Sequence, residues 1–179
     1  MTQTEILTAD NTTGRSLRIV SFDDPAVRES SVSRLYEFTH RADADVTPFS
    51  IPFATLNPIG FVALLTKPNR FLGRKTEVVG YAGYTKVREF EGRGYPQVGG
   101  VALLPEFHGR GLGKALVTAT VETMQSYGIE EMVAVCNGNS APIFRSLGFE
   151  PIANVVSDRG REKPLYMLQG GQSGITGVE

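Results

Sequence analysis

Val101-Ala102-Leu103-Leu104-Pro105-Glu106-Phe107-His108-Gly109-Arg110-Gly111-Leu112-Gly113-Lys114 is the stretch from which the rest of the chain can be read. Its first four residues are apolar and suit a buried strand that ends at Pro105. Glycines follow at 109, 111 and 113, and then the apolar spacing changes. Leu112, Ala115, Leu116 and Ala119 stand at i, i+3, i+4 and i+7, which predicts an amphipathic helix. A helix N-terminus offers unpaired backbone N–H groups and the positive end of the helix dipole, so a glycine loop leading into one is suited to an anion. Glycine lets the backbone approach that anion closely and take unusual torsions. Arg110 and Lys114 add positive charge, and the chemistry suits a diphosphate.

Two familiar phosphate motifs do not fit. The dinucleotide fingerprint G-x-G-x-x-G, started at Gly109, meets Lys114 where its third glycine belongs. A P-loop would need glycine at His108 and a hydroxyl at Ala115. Taken alone, the stretch is equally compatible with a glycine-rich helix entry that holds no ligand.

Working outward, the helix that begins at Gly111 should stop near Tyr127, with Gly128 as its cap. A short strand over Met132–Cys136 follows, then a helix from about Ser140 to Leu147 with Pro142 in its first turn, then strands over Phe149–Val156 and Pro164–Leu168. Upstream, Gln97–Leu104 and the Val- and Tyr-rich run Glu77–Phe90 read as strands, with Gly92-Arg93-Gly94 as the turn between them. Phe61–Leu65 reads as a buried strand and Lys67–Lys75 as a hairpin loop. Leu17–Ser21 is a candidate first strand. Asp23-Asp24-Pro25 should start a helix over about 26–40 that buries Val32, Leu35 and Tyr36. Residues 41–58, with Pro48, Pro52 and Pro58, fit a broken helix or a loop over the substrate side. The expected organisation is a flexible arm over 1–15, a single domain over 16–169 and a flexible tail over 170–179. The order of elements calls for a mixed α/β sheet, with the Gly111–Tyr127 helix as a crossover between parallel strands.

Composition narrows the function. A net charge of −1 gives no electrostatic footprint for nucleic acid or an anionic membrane. The one cysteine, Cys136, allows no internal disulfide and suggests a reducing, cytoplasmic location. The polar start of the chain does not resemble a signal peptide, and no apolar run reaches the roughly 20 residues of a membrane span. Two histidines and one cysteine offer no metal-ligand cluster, so no metal is expected.

Two segments together resemble the GNAT acetyltransferase superfamily. The signature [Q/R]-x-x-G-x-[G/A] is similar to His108-Gly109-Arg110-Gly111-Leu112-Gly113, following Val101 to Pro105. The second, N-x-x-[A/S]-x-x-x-Y-x-x-x-G-F, is similar to Asn137-Gly138-Asn139-Ser140, Phe144 and Gly148-Phe149. The resemblance spans roughly Phe61 to Leu168. It implies a mixed sheet of about seven strands with splayed fourth and fifth strands, here Gln97–Leu104 and Met132–Cys136, flanked by about four helices. It further implies acetyl-CoA as co-substrate, held in the gap between those strands. Val101, Ala102 and Leu103 would meet the pantetheine arm by strand-like backbone pairing. His108, Gly109, Arg110, Gly111, Leu112, Gly113 and Lys114 would wrap the pyrophosphate. Asn137 would bond the arm from the other side, and Phe144 would stand near the cofactor. The Leu103 backbone amide is a candidate oxyanion donor. Gly99-Gly100 would supply the bend that opens the gap.

The implied reaction is acetylation of a primary amine on a small molecule or peptide by a monomer or homodimer. A catalytically silent CoA-binding or sensing module is the alternative. Three positions depart from the family pattern. His108 replaces Arg or Gln. Phe144 replaces a tyrosine that protonates the leaving thiolate. Gln97 falls near the place of a glutamate base, and an amide is no base. Tyr81, Tyr84, Tyr95 and Tyr166 are candidate replacement acids or packing residues, and Glu89 and Glu91 could meet a cationic substrate or face water. Glu106 reads as a solvated loop acid and Cys136 as an inert buried thiol.

Overall fold

The structure, a computed structural model, describes residues 5–10, 14–41, 50, 54, 59–69, 73–157 and 160–170. These form one mixed sheet of eight strands: β1 (Glu5–Asp10), β2 (Arg15–Ser21), β3 (Gly60–Asn69), β4 (Gly73–Phe90), β5 (Arg93–Leu103), β6 (Met132–Val135), β7 (Glu150–Val156) and β8 (Glu162–Leu168). The sheet order is β1-β2-β3-β4-β5-β6-β8-β7. Helices α1 (Pro25–Glu29), α2 (Ser33–His40), α3 (Leu112–Ser126) and α4 (Ala141–Arg145) accompany it, with a 3-10 turn at Pro105–Phe107.

The expected mixed sheet, four helices and splayed pair are present, with one strand beyond the expected seven. That strand lies in the segment read as a flexible arm, where Glu5–Asp10 pairs antiparallel with β2. The splayed fourth and fifth strands are therefore β5 and β6 here. The expected broken helix or loop over 41–58 falls mostly outside the described residues, as does the tail beyond 170.

Further differences have local causes. The single helix expected over 26–40 is two. Asp24 caps α1 by accepting from the Ala26 amide at 2.8 Å, but the chain turns extended at Ser30. The Ser31 amide then donates to Thr76, and its carbonyl accepts from Val78, so a sheet contact interrupts the helix. The hairpin strands run past the expected loop, with Pro68 opposite Arg74 in register. β5 begins at Arg93 rather than Gln97, because Glu91 and Gly92 both take positive φ and close a tight turn. The helix read over Ser140–Leu147 is regular only over Ala141–Arg145.

The core lies between α3 and the middle of the sheet. Leu112, Leu116, Val117, Thr120, Val121 and Met124 are buried along one side of α3, so the buried face includes Leu112 and Leu116 of the expected set, while Ala115 and Ala119 lie half-buried at its margin. Opposite them, Val78 through Gly83 of β4 are all buried. The Thr120 hydroxyl is buried and donates to Leu116 within its own helix at 2.9 Å. Among the described helices none is long and apolar enough to cross a membrane.

Two irregularities shape the middle of the sheet. Tyr81 faces Ala102 and Gly83 faces Gly99, so Gly100 and Val101 together oppose Ala82. This is a bulge on β5, and Gly100 enters it with φ +62. Beyond the bulge β5 leaves its parallel neighbour, and the two strands are registered at one pair, Gln97 with Val133.

Candidate active site

Past that pair the ends of β5 and β6 diverge and a cleft of about 620 Å³ opens. Its wall on one side is Val101, Ala102 and Leu103, the edge of β5 that has no β6 partner. The Leu104 amide points back into the sheet and donates to Val79 at 2.8 Å. Strand alternation therefore turns the amide and carbonyl of Leu103 toward the gap. His108 confirms the direction, because its Nε2 meets the Leu103 carbonyl at 2.8 Å.

The floor is the glycine loop and the start of α3. Gly109 and Gly111 take φ +72 and +75, and a Cβ built on either would meet nothing within 4 Å. Gly111 is the N-cap residue of α3 and brings no side-chain hydrogen bond. The first intrahelical bond is Ala115 to Gly111, so the amides of Leu112, Gly113 and Lys114 have no acceptor within the helix. All three residues line the cleft. Uncapped amides, a helix of 15 residues behind them and the Lys114 ammonium fit a diphosphate.

The far wall follows β6. Asn137, Asn139, Ser140 and Ile143 line it. The Asn137 side-chain Oδ1 accepts from the backbone amides of Asn139 at 3.0 Å and Ser140 at 2.9 Å, which fixes the turn into α4. Its side-chain NH2 remains available for a ligand.

The cleft thus gathers Val101, Ala102, Leu103, His108, Gly109, Gly111, Leu112, Gly113, Lys114 and Asn137. Two expected residues are not in its lining. Arg110 is exposed and lies over the Phe107 ring, 5.7 Å from its centroid. Phe144 is 1% exposed and packs edge-on against Phe149, with centroids 5.1 Å apart. Phe144 is a core residue, because α4 turns that ring under the sheet rather than into the gap. Phe144→Tyr is therefore expected to leave turnover unchanged and to cost about 1–3 kcal/mol through an unpartnered hydroxyl. A melting curve beside an activity assay checks this, and a rise in turnover would put the ring at the reacting centre.

Sequence reasoning missed the contribution of α2. Phe38 and Arg41 reach the cleft from its C-terminal end, with the Arg41 guanidinium 6.0 Å from the Phe38 ring centroid. Neither belongs to a motif, and no local signal marks them. Upstream on the same helix, Arg34 pairs with Glu106 and, at 3.5 Å, with buried Glu77. The Arg34 guanidinium holds the Glu106 carboxyl below its usual range. That pairing stabilises the fold at neutral pH and is lost as pH falls through the lowered value.

The remaining candidates stand outside the cleft. Gln97 is buried at the strand junction, donating to Thr85 at 3.1 Å and accepting from Arg88. The Tyr166 hydroxyl accepts from Arg145 at 2.6 Å. Burial pushes the Cys136 thiol up to about 12. Native Cys136 should accordingly resist iodoacetamide at about pH 8 and react fully once the protein is unfolded in guanidinium. Modification of the folded protein at the rate of the unfolded one would show the thiol to be accessible.

Residues 21–149 match the family model described as Acetyltransferase (GNAT) family. The chain belongs to the GNAT acetyltransferase family. Among curated relatives it is similar to mycothiol acetyltransferase of Saccharomonospora viridis, with 36% identity over 46% of this chain and 30% of that protein. It is also similar to the L-methionine sulfoximine/L-methionine sulfone acetyltransferase of Pseudomonas aeruginosa, with 40% identity over 41% of this chain and 45% of that protein. The matched segment thus spans less than half the length of either relative. A structure of a putative acetyltransferase from Salmonella typhimurium with its cofactor acetyl-CoA superposes with a TM-score of 0.56 at 22% identity, covering 87% of this chain and 93% of that one. That likeness supports the GNAT fold.

Proposed function

We propose that this GNAT chain transfers an acetyl group from acetyl-CoA to a primary amine. The observation that carries this reading is the uncapped start of α3, opening between diverging strands onto a cleft of about 620 Å³. Acetyl-CoA, when bound, supplies a thioester carbonyl open to attack by an amine. The amides of Leu112, Gly113 and Lys114 hold the pyrophosphate, with Lys114 adding charge. The free edge of β5 at Val101–Leu103 pairs with the amide groups of the pantetheine arm as a further strand would. The Leu103 N–H donates to the oxygen on which charge develops.

The amine must be neutral to attack, and an ordinary lysine-type amine has a pKa of about 10.4, so a proton has to leave it. Among the described residues the cleft presents no carboxylate and no tyrosine. The titratable side chains in this lining are His108, Lys114 and Arg41. The same observation favours a second reading, a CoA-binding module without turnover.

The two curated relatives are named for unlike small molecules. That supports a small-molecule amine as the first class to screen. The test is release of CoA thiol from acetyl-CoA against amino acids, aminosugar derivatives, polyamines and peptide N-termini. Turnover with any member supports the enzyme. Tight CoA binding with no thiol release across the panel supports the silent module, and no CoA binding overturns both.

A further inference from the structure

Three pieces of the fold around the cleft meet at one side chain on α2. Ser31, two residues before that helix, bonds through its backbone to Thr76 and Val78 of β4, and the Leu104 amide bonds to Val79 beside them. The start of α2 and the 3-10 turn at Pro105–Phe107 are thereby seated next to each other on β4. Arg34, in the first turn of α2, spans the two. Its Nη2 bonds Glu106 in the 3-10 turn, and its Nη1 lies 3.5 Å from Glu77 of β4. Glu77 has only 4% of its side chain exposed and keeps a second cation, Lys67, at 3.3 Å. Glu106 directly precedes Phe107 and His108, with which the glycine-loop side of the cleft begins. Phe38 and Arg41 follow Arg34 at i+4 and i+7, so the side of α2 that carries this fork also carries the two cleft residues of that helix.

We infer that Arg34 is a positioning residue for the cleft: through Glu106 it locks α2 to the turn that leads into the glycine loop, so that the two sides keep their spacing. This rests on the acetyl-CoA reading above. Neither Arg34 nor Glu106 lines the cleft, so the pair acts through the elements it holds. Both side chains are about half exposed, and an ion pair in that setting contributes little to stability. The tie at Glu106 can be cut without orphaning the buried carboxylate, because Glu77 keeps Arg34 and Lys67. Charge and positioning predict opposite signs for that cut. A carboxylate near a diphosphate repels it, so by charge alone the loss of Glu106 tightens CoA binding. As the loss of a tether it weakens CoA binding.

Glu106→Met and Glu106→Gln separate the two effects. Both remove the charge and keep the length of the side chain, but only glutamine offers an oxygen to which Arg34 can donate. In titration calorimetry with CoA, Glu106→Met should bind about fivefold more weakly than wild type, the scale of coupling through a charged or packed network, and Glu106→Gln should stay within about twofold. Both melting temperatures should stay within about 3 °C of wild type. In the free proteins, the amide hydrogens of residues 107–111 should exchange faster in Glu106→Met than in Glu106→Gln, with β4 unchanged. Equal CoA affinity in the two variants, or tighter binding by Glu106→Met than by wild type, overturns the inference. So does a loss of affinity that comes with a larger fall in melting temperature, which makes the pair a structural one. Failure of the wild type to bind CoA overturns instead the acetyl-CoA reading, and the exchange comparison then still decides whether Arg34 holds the turn.

Discussion

Gly111→Asp and Gly113→Asp are expected to remove measurable CoA binding from a protein that remains folded. Each places a carboxylate among the uncapped amides of α3, where the bound diphosphate would otherwise be the negative partner. At close range in a partly desolvated cleft, two like charges cost several kcal/mol. A loss of about 3 kcal/mol already weakens binding more than a hundredfold. The folded state should tolerate both changes. Gly111 has open space around a built Cβ, and aspartate is among the residues that accept its left-handed torsion. At Gly113 the nearest neighbour is the flexible end of Ile143, at 3.2 Å. Titration calorimetry with CoA and a melting curve decide the matter together. Wild-type affinity in either variant would remove the loop from the binding site.

The bulge at Gly100 offers the largest expected effect on stability. Gly100→Val should cost about 2–4 kcal/mol, because two penalties coincide there. Its φ of +62 disfavours any β-branched residue, and a Cβ would sit 2.7 Å from Cε2 of Tyr81, a ring with no exposure and no room to retreat. At this chain length that corresponds to a fall in melting temperature of roughly 5–15 °C. Gly109→Ala is the control. It has the same sign of φ, +72, with nothing within 4 Å, so only torsional strain of about 1 kcal/mol should register. Equal losses in the two variants would mean that the clash with Tyr81 is absent in solution.

The parts of the fold legible in the sequence are those whose causes are local. The change of period at Gly111, Gly128 as a stop and the glycine pair before Val101 each act through neighbouring residues. The corresponding helix, cap and bulge are present. The parts that were not legible depend on distant partners. Ser31 ends α1 because Thr76 and Val78 bond to it across the fold, and nothing near Ser31 announces this. β1 exists as a strand through its pairing with β2, and Glu5–Asp10 does not alternate apolar and polar residues as a strand signal would. In the site, a motif gives the position of a residue along the chain and says little about the direction of its side chain. Gly109, Gly111 and Asn137 act largely through backbone and turn geometry, and they stand in the cleft. Phe144 matters through where its ring points, and it points into the core. Phe38 and Arg41 enter from a helix that carries no motif.

The lone registered pair between β5 and β6 makes the sheet two slabs, β1–β5 and β6–β8, sharing one rung and the α3 crossover. A ligand that pairs with the free edge of β5 would complete the missing mortar between them. Cohesion along that seam is then a property of the surroundings as much as of the chain. A ligand present at a hundred times its Kd adds about 2.7 kcal/mol to the folded state. Backbone hydrogen exchange in β6 and the end of β5 should slow with that concentration while β2 and β3 hardly respond. The lifetime of the protein against proteolysis would follow the supply of its own co-substrate.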